Sequence, residues 1–328
     1  MSDQILVTGA AGFIGFHTVL RLLQAGHKVV GVDNLNDYYD VSLKQARLQE
    51  LSNFSDFTFV KEDVANKEGM ETLWRDLGPF RRVIHLAAQA GVRYSLKNPY
   101  SYIQSNIVGH LVILEMCRHT ENFEHLVYAS SSSVYGGNEK LPYAVEDRVE
   151  SPVSLYAATK KSGELMSHSY SYLYDIPQTG LRFFTVYGPW GRPDMSPIIF
   201  AKAISAGEKV PVFNHGDMKR DFTYIDDIVS GVLAVLDCPP ESESGQVPQR
   251  VLNIGNTKSE NLMDFIAVIE KALGQKADID FLPMQPGDVK ETYADVSETT
   301  RIAGYSPTTS IEEGIPKFVD WFQEYYGE

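Results

Sequence analysis

The sequence has few cysteines, no long apolar run and a shortage of positive charge. Its two cysteines, Cys117 and Cys238, lie in a helix-like stretch and just before a Pro-Pro pair, so neither a disulfide framework nor a metal site is expected. No stretch reaches the roughly 20 apolar residues that a membrane-spanning helix needs. Residues 1–4 lead into an apolar stretch without the basic start of a signal peptide, which favours a cytoplasmic protein.

The charge balance excludes two classes of partner. With 29 Lys and Arg residues against 43 Asp and Glu residues, the chain carries a formal net charge of -14. Nucleic acid and anionic membranes both require a basic surface, so we expect neither as a partner. An anionic small substrate would have to meet local positive charge, which the sequence offers at Arg93, at Arg192 and at the pair of Lys219 and Arg220.

The first half of the chain alternates short apolar runs with longer amphipathic stretches. The apolar runs are residues 4–8, 28–33, 57–63, 83–88, 125–131 and 179–184. This alternation is typical of βαβ units with a parallel sheet. After residue 184 the chain becomes irregular and rich in Gly and Pro, and a run at 251–254 returns to the strand pattern. We predict an α/β fold, a Rossmann-like doubly wound parallel sheet with a smaller α/β substrate-binding lobe.

A glycine-rich turn follows the first strand and opens the first helix. Gly9, Gly12 and Gly15 permit the tight turn and close backbone approach with which such loops bind a dinucleotide pyrophosphate, although loops also use glycine for turns alone. Asp33 ends the second strand, where a carboxylate binds the adenosine ribose and repels the extra phosphate of NADP. Asp33 is alternatively a turn residue, but its combination with the glycines predicts NAD.

Tyr156 and Lys160 have the spacing of a catalytic pair, because positions i and i+4 share one face of a helix. A nearby ammonium and a positive nicotinamide ring both favour the phenolate, so Tyr156 can take a hydroxyl proton while hydride leaves the same carbon. Tyr-x-x-x-Lys is also frequent on solvated helices. Here a serine cluster at 130–133 precedes it at a strand end, and Ser131 can share the proton.

Together these motifs resemble the extended short-chain dehydrogenases/reductases of the NAD-dependent epimerase/dehydratase family, over essentially the whole chain. The matching residues are 8–15, Asp33, 85–88, Asn106, 131–136, 156–160 and 220–227. The resemblance implies NAD contacts from Gly9, Gly12, Phe13, Ile14, Gly15, Asp33, Asp63, Val64, Leu86, Ala87, Ala88, Tyr156 and Lys160. It also implies an NAD-binding domain of residues 1–184 and 224–256, a UDP-sugar-binding domain of 185–223 and 257–328, and a homodimer.

The residues after the catalytic hydroxyl indicate which reaction the resemblance implies. Dehydratases carry an Asp-Glu pair there and nucleotide-uronate decarboxylases tend to carry a Glu, whereas this chain has Ser132 and Ser133, which favours epimerisation. The segments 33–40, 90–95 and 182–194 are similar to UDP-glucuronate 4-epimerases. The implied reaction interconverts UDP-glucuronate and UDP-galacturonate through a transient 4-keto sugar.

The carboxylate of such a substrate needs partners, because oxidising C4 makes a β-keto acid that loses CO₂ readily. Ser132, Ser133 and Thr185 are expected to hold it by hydrogen bonds; alternatively, these hydroxyls only satisfy backbone groups at a strand end. UDP-glucose epimerases usually have Asn in place of Thr185.

The remaining polar candidates are expected to bind the nucleotide. Arg220 and Arg192 are expected diphosphate ligands, Asp288 is a candidate for the uridine ribose, and Arg93 lines the sugar or phosphate site. The competing functions are a UDP-glucose 4-epimerase, a UDP-glucuronate decarboxylase and an NAD-binding sensor without catalysis.

Overall fold

Short strands and helices alternate through the first half of the chain. The computed structural model describes residues 4–242, 245–285 and 288–327. Its strands are β1 (Gln4–Thr8), β2 (Lys28–Asp33), β3 (Phe57–Lys61), β4 (Arg82–His85), β5 (His125–Ser131), β6 (Gln178–Phe183), β7 (Thr185–Tyr187), β8 (Lys209–Val212), β9 (Lys219–Arg220), β10 (Phe222–Tyr224), β11 (Gln249–Ile254), β12 (Glu260–Asn261) and β13 (Asp278–Phe281).

The helices between these strands are mostly two to five turns long. They are α1 (Phe13–Gln24), α2 (Val41–Leu51), α3 (Lys67–Leu77), α4 (Tyr94–Lys97), α5 (Pro99–Tyr102), α6 (Gly109–Arg118), α7 (Leu155–Tyr174), α8 (Ser196–Ala206), α9 (Ile225–Leu236), α10 (Leu262–Leu273), α11 (Ser297–Ala303) and α12 (Ile311–Tyr326). A π-helical segment covers Ile103–Val108, and 3-10 turns cover Ser132–Tyr135 and Phe213–Gly216. No helix in the described ranges combines the length and apolar character needed to cross a bilayer.

Seven parallel strands form the central sheet, in the order β11-β6-β5-β4-β1-β2-β3. Successive side chains of β1 enter two different cores: Ile5 and Val7 pack with residues of α1 and α9, whereas Leu6 packs with residues of α3 and α6. A strand whose two faces are both buried is uniformly apolar, as the sequence predicted. The expected α/β Rossmann-like sheet is therefore confirmed.

The predicted strands at 57–63 and 83–88 are too long. The third strand ends at Lys61 because the Glu62 carboxylate accepts from the Asp63 backbone N–H at 2.8 Å, which starts a turn. The fourth ends at His85, and the Ala87 N–H turns to the Thr8 hydroxyl at 3.1 Å. Residues 86–88 are consequently loop.

Beyond residue 184 the chain adds small sheets outside the central one. β7 pairs with β10 and β8 with β13, both in parallel, while β9 pairs with β12 antiparallel. The run predicted at 251–254 lies within β11, which returns to the central sheet and pairs with β6. The domain boundaries drawn from the sequence stay a prediction.

Candidate active site

A cavity of about 900 Å³ lies at the carboxyl ends of the central strands and extends to the segments after residue 184. The strand order reverses between β4 and β1, which is where doubly wound sheets bind ligands. All the residues that the sequence analysis assigned to cofactor or substrate line this cavity: Gly9, Gly12, Phe13, Ile14, Gly15, Asp33, Asp63, Val64, Leu86, Ala87, Ala88, Arg93, Ser131, Ser132, Ser133, Tyr156, Lys160, Thr185, Arg192, Arg220 and Asp288. Their individual roles stay predictions.

The glycine-rich turn packs too tightly for side chains. Gly9 has a φ of +73°, and a Cβ on it would lie 2.8 Å from the Ala87 backbone nitrogen. A Cβ on Gly15 would lie only 1.9 Å from the Gly9 carbonyl oxygen. Gly12 caps α1 without a side-chain hydrogen bond, and the first turn carries no acidic residue. The helix N-terminus is therefore suited to an anion such as a pyrophosphate.

Asp33 is held firmly at the end of β2. Its carboxylate accepts from the Ala11 N–H at 3.2 Å and the Leu35 N–H at 2.9 Å, and it pairs with the buried Lys44 ammonium at 3.6 Å. Lys44 lines the cavity too, yet sequence reasoning missed it, because nothing in the α2 pattern distinguishes it from a surface lysine. The carboxylate position fits the adenosine ribose of NAD.

Tyr156 and Lys160 project from the first turns of α7. Ser154 caps this helix by accepting from the Ala157 N–H at 3.1 Å, which places Tyr156 at the helix start. The Lys160 ammonium donates to the Ala129 carbonyl of β5 at 2.8 Å and lies 6.0 Å from the Tyr156 ring centroid. Burial lowers the pKa of Lys160 to about 8.

Burial raises the pKa of Tyr156 above its ordinary value, while the Ser131 hydroxyl and the Arg192 charge act in the opposite direction. Arg192, whose charge acts on the phenol, is the residue that the sequence predicts as a diphosphate ligand. The Lys160 ammonium lies over the same ring, and its role in favouring the phenolate stays a prediction. Tyr156 therefore has partners outside its own helix as well as on it.

Arg192 belongs to a polar cluster with Asp194 and Tyr38. Its Nε donates to Asp194 Oδ1 at 3.0 Å and its Nη2 to Oδ2 at 2.5 Å, and the Tyr38 hydroxyl donates to the same carboxylate at 2.9 Å. Sequence reasoning missed Asp194 and Tyr38 as site residues. The signal for them was their place in the segments 182–194 and 33–40, which resemble one group of epimerases.

A second positive cluster contains Arg93 and Arg220. Arg93 pairs with Asp288 at 3.2 Å and lies over the Phe213 ring, 4.9 Å from its centroid. Burial lowers the pKa of Arg220, and the Asp288 carboxylate counteracts this effect. The Arg220 guanidinium donates to the Lys219 and Lys290 carbonyls at 2.8 and 3.0 Å. Arg192 and Arg220, both predicted as diphosphate ligands, therefore belong to different clusters.

The hydroxyl groups near Tyr156 differ in their hydrogen bonding. Ser131 Oγ accepts from the Ser133 N–H at 3.2 Å and donates to the Ser133 hydroxyl at 3.0 Å. Within residues 4–242, 245–285 and 288–327, the Ser132 and Thr185 hydroxyls have no hydrogen-bond partner, although both line the cavity. Among the described residues, none of the Ser132, Ser133 and Thr185 hydroxyls is bonded to a backbone group, and the Ser133 hydroxyl meets only that of Ser131. Whether they hold a carboxylate stays a prediction.

Comparison with known proteins agrees with this geometry. The family model described as the NAD dependent epimerase/dehydratase family matches residues 5–255, which include the glycine turn, the serine cluster and the Tyr156 helix. The chain belongs to this family. The expectations of an NAD-dependent epimerase and of NAD as its cofactor are confirmed.

Several epimerases align with nearly the whole chain. The probable UDP-glucuronate 4-epimerase of Rhizobium meliloti is 45% identical, over 98% of this chain and 97% of the relative. The UDP-glucuronic acid 4-epimerase of Bacillus cereus, solved in complex with UDP-glucuronic acid and NAD, has a TM-score of 0.89 and 38% identity, over 98% of this chain and 100% of that chain. The UDP-glucose 4-epimerase of Thermotoga maritima has a TM-score of 0.86 and 30% identity, over 98% and 99%.

Gly15→Ala is expected to weaken NAD binding by about tenfold or more, because the added methyl group forces the turn away from the helix N-terminus. The same clash should lower the free energy of unfolding by about 1–3 kcal/mol. Gly137→Ala is the matched control, since a Cβ there meets nothing within 4 Å. Calorimetric titration with NAD and thermal unfolding of both variants check this. NAD affinity of Gly15→Ala within twofold of the wild type would contradict the assignment of the turn.

Proposed function

We propose that the chain is a UDP-sugar 4-epimerase that interconverts UDP-glucuronate and UDP-galacturonate through a transient 4-keto sugar, and that it acts in the cytoplasm. The observation that carries this proposal is the combination of Tyr156 and Ser131 with two unpartnered hydroxyls, Ser132 and Thr185, in one cavity with the glycine turn. A base, a cofactor site and neutral carboxylate ligands are the three components that this reaction needs. The similarity to UDP-glucuronate 4-epimerases supports the choice of substrate.

The proton chemistry belongs to Tyr156. Its phenolate takes the O4 proton of the sugar, and the Ser131 hydroxyl, which already lowers the pKa of the phenol, shares that proton. NAD, which the glycine turn and Asp33 would hold, would supply the acceptor and donor for the C4 hydride. Lys160, bonded to the Ala129 carbonyl, holds its ammonium on the same side of the cavity.

The substrate carboxylate is held by Ser132 and Thr185, with Ser133 beside them. A 4-keto uronate loses CO₂ once the bond to its carboxylate aligns with the carbonyl π system, so the site must keep that bond near the carbonyl plane. Hydroxyl donors without partners in the protein lose no existing bond when they bind the carboxylate. This favours retention of the carboxylate until C4 is reduced again.

The nucleotide occupies the end of the cavity that contains Arg220, Arg93 and Asp288. Arg220 and Arg93 bind the diphosphate, and Asp288 binds the uridine ribose after its pair with Arg93 opens. Because Arg192 lies beside Tyr156, we assign it to the sugar rather than to the diphosphate. The two clusters thus hold UDP at one end and leave the sugar to turn at the other.

The chain also presents a surface suited to homodimerisation. Leu111 on α6 and Leu165, Tyr172 and Leu173 on α7 are 40%, 57%, 72% and 63% exposed. Leu165 and Tyr172 are seven residues apart and share one helix face, and α6 packs beside α7. Large apolar side chains exposed on neighbouring helices are typical of interaction sites. We therefore propose a four-helix interface built from α6 and α7 of two copies.

Incubation with UDP-glucuronate, without added reductant, is expected to give UDP-galacturonate and no UDP-pentose. Proton NMR of the sugar signals follows both products. Tyr156→Phe should slow the conversion by about 10²–10⁴-fold while NAD stays bound, because only the phenolic proton acceptor is lost. Conversion of UDP-glucose alone would assign the rival epimerase, UDP-xylose as the main product would assign a decarboxylase, and no turnover of any UDP-sugar would favour a sensor.

The double variant Ser132→Ala, Thr185→Val is expected to raise the ratio of UDP-pentose to UDP-galacturonate by at least about tenfold, since each lost bond to a charged group is worth about 1.5–3 kcal/mol. Thr58→Val, on the exposed face of the edge strand β3, is the matched control. NMR product ratios decide the outcome. An unchanged ratio would remove these hydroxyls from the carboxylate site.

The paired substitution Leu111→Glu, Leu165→Glu should convert the dimer to a monomer at micromolar concentration, because four carboxylates would enter the apolar interface. Phe281→Glu, at a position that is 51% exposed on β13, is the control and should leave the mass unchanged. Light scattering coupled to gel filtration measures the mass. A wild-type monomer, or a dimer that survives the paired substitution, would refute this interface.

A further inference from the structure

The catalytic helix α7 is joined to β5 by polar contacts at successive strand residues. The Lys160 ammonium donates to the Ala129 carbonyl at 2.8 Å, and the next strand residue, Ser130, donates its hydroxyl to Glu164 Oε1 at 2.7 Å. Glu164 lies one helical turn after Lys160, on the same face of α7. Two consecutive residues of β5 are therefore hydrogen-bonded to two residues of α7 that lie one turn apart.

Glu164 and Arg182 form a buried bidentate ion pair behind the cavity wall. Each residue is 3% exposed, and the carboxylate accepts from Arg182 Nε at 2.8 Å and from Nη2 at 2.9 Å. Arg182 lies on β6 directly opposite Ser130 of β5. Two parallel hydrogen bonds fix both the distance and the angle between the partners. The Glu164 carboxylate thus fixes α7 to two neighbouring strands.

The third guanidinium nitrogen of Arg182, which does not contact Glu164, is also hydrogen-bonded. Its Nη1 donates to the Tyr135 hydroxyl at 3.0 Å, which donates to Asn253 Oδ1 of β11 at 2.7 Å. The Tyr135 ring stacks on Tyr143 with the centroids 4.5 Å apart. Arg182 therefore cannot follow a shift of α7, and the helix must stay where Glu164 meets it.

We propose that Glu164 is a positioning residue, which sets the placement of Tyr156 against Ser131 and so the rate of proton removal, without touching substrate or cofactor. Glu164 is not among the residues that line the cavity, whereas Ser130 is. Two of its neighbours, Ser130 and Arg182, tie it to the strands, and the third, Lys161, is a partly exposed lysine at 3.3 Å. This inference rests on the proposed role of Tyr156 as the base.

Glu164→Gln keeps the shape of the side chain but puts an amide donor against the Arg182 guanidinium. The expected result is a fall in kcat of about 10- to 100-fold, as for a misplacement of about 1 Å, with the KM for UDP-glucuronate within twofold of the wild type. The acidic limb of the kcat against pH profile should move to higher pH, because a displaced phenol lies farther from the Ser131 hydroxyl and the Arg192 charge, which both act to lower its pKa.

Asp227→Asn is the matched control for Glu164→Gln. Asp227 is a buried carboxylate outside the cavity lining, and it accepts from the Thr308 and Thr309 N–H groups at 3.2 and 3.0 Å. Its loss should lower the melting temperature but leave kcat and the acidic limb unchanged. A folded Glu164→Gln variant with the pH profile of the wild type, or with a kcat loss equal to that of Asp227→Asn, would overturn the proposal.

A second variant and a second readout cover the remaining outcomes. If Glu164→Gln does not fold, Ser130→Ala removes one tie and leaves the ion pair, and we expect the same shift of the acidic limb with a kcat loss of about 3- to 10-fold. Phenolate absorbance, taken as the difference from the matching Tyr156→Phe protein, reports the Tyr156 titration without turnover. Inactive wild-type protein would refute the proposed function, whereas an unmoved Tyr156 titration would refute the positioning role alone.

Discussion

The proposed chemistry depends on the packing of α7 against the end of β5. The Ser131 hydroxyl on the strand and the Arg192 charge in a separate loop both act to lower the pKa of Tyr156, against the effect of burial. A displacement of the helix along its axis would change both interactions together. Hydrogen-bond energy falls steeply with distance and angle, which makes this packing the most demanding geometric requirement of the site.

Burial and charge oppose each other throughout the cavity wall. Burial raises the pKa of Tyr156 and lowers that of Lys160 to about 8, so in both residues it disfavours the ionised form. For Tyr156, the effect of burial is opposed by the charge of Arg192, which is itself held in an ion pair with Asp194. Such a cavity strengthens every electrostatic interaction inside it, and a bound anionic sugar would therefore respond strongly to the position of a few charges.

Features that rest on local pattern could be predicted from the sequence. The glycine turn, the strand ending at Asp33 and the helix carrying Tyr156 each follow from a few consecutive residues, and β1, β2 and β5 have the predicted bounds. The partners that tune the site could not be derived in this way. Tyr38 and Asp194 are 156 residues apart, and Glu164 and Arg182 lie on different elements. Only the tertiary fold brings such pairs together.

In the proposed reaction, neutral hydroxyls suit the substrate carboxylate because of what the sugar must do between the oxidation of C4 and its re-reduction. An arginine would bind a carboxylate through two parallel charge-assisted bonds and would hold it in one orientation. Serine and threonine hydroxyls rotate, donate and accept, so they can restrain the carboxylate near one plane and release it at lower cost. Arg220 and Arg93 lie beside Asp288 at the end proposed for the nucleotide, whereas Arg192, at the sugar end, is already paired with Asp194. The proposed inversion at C4 needs strong binding of the nucleotide, which stays in place, and weaker binding of the sugar, which turns.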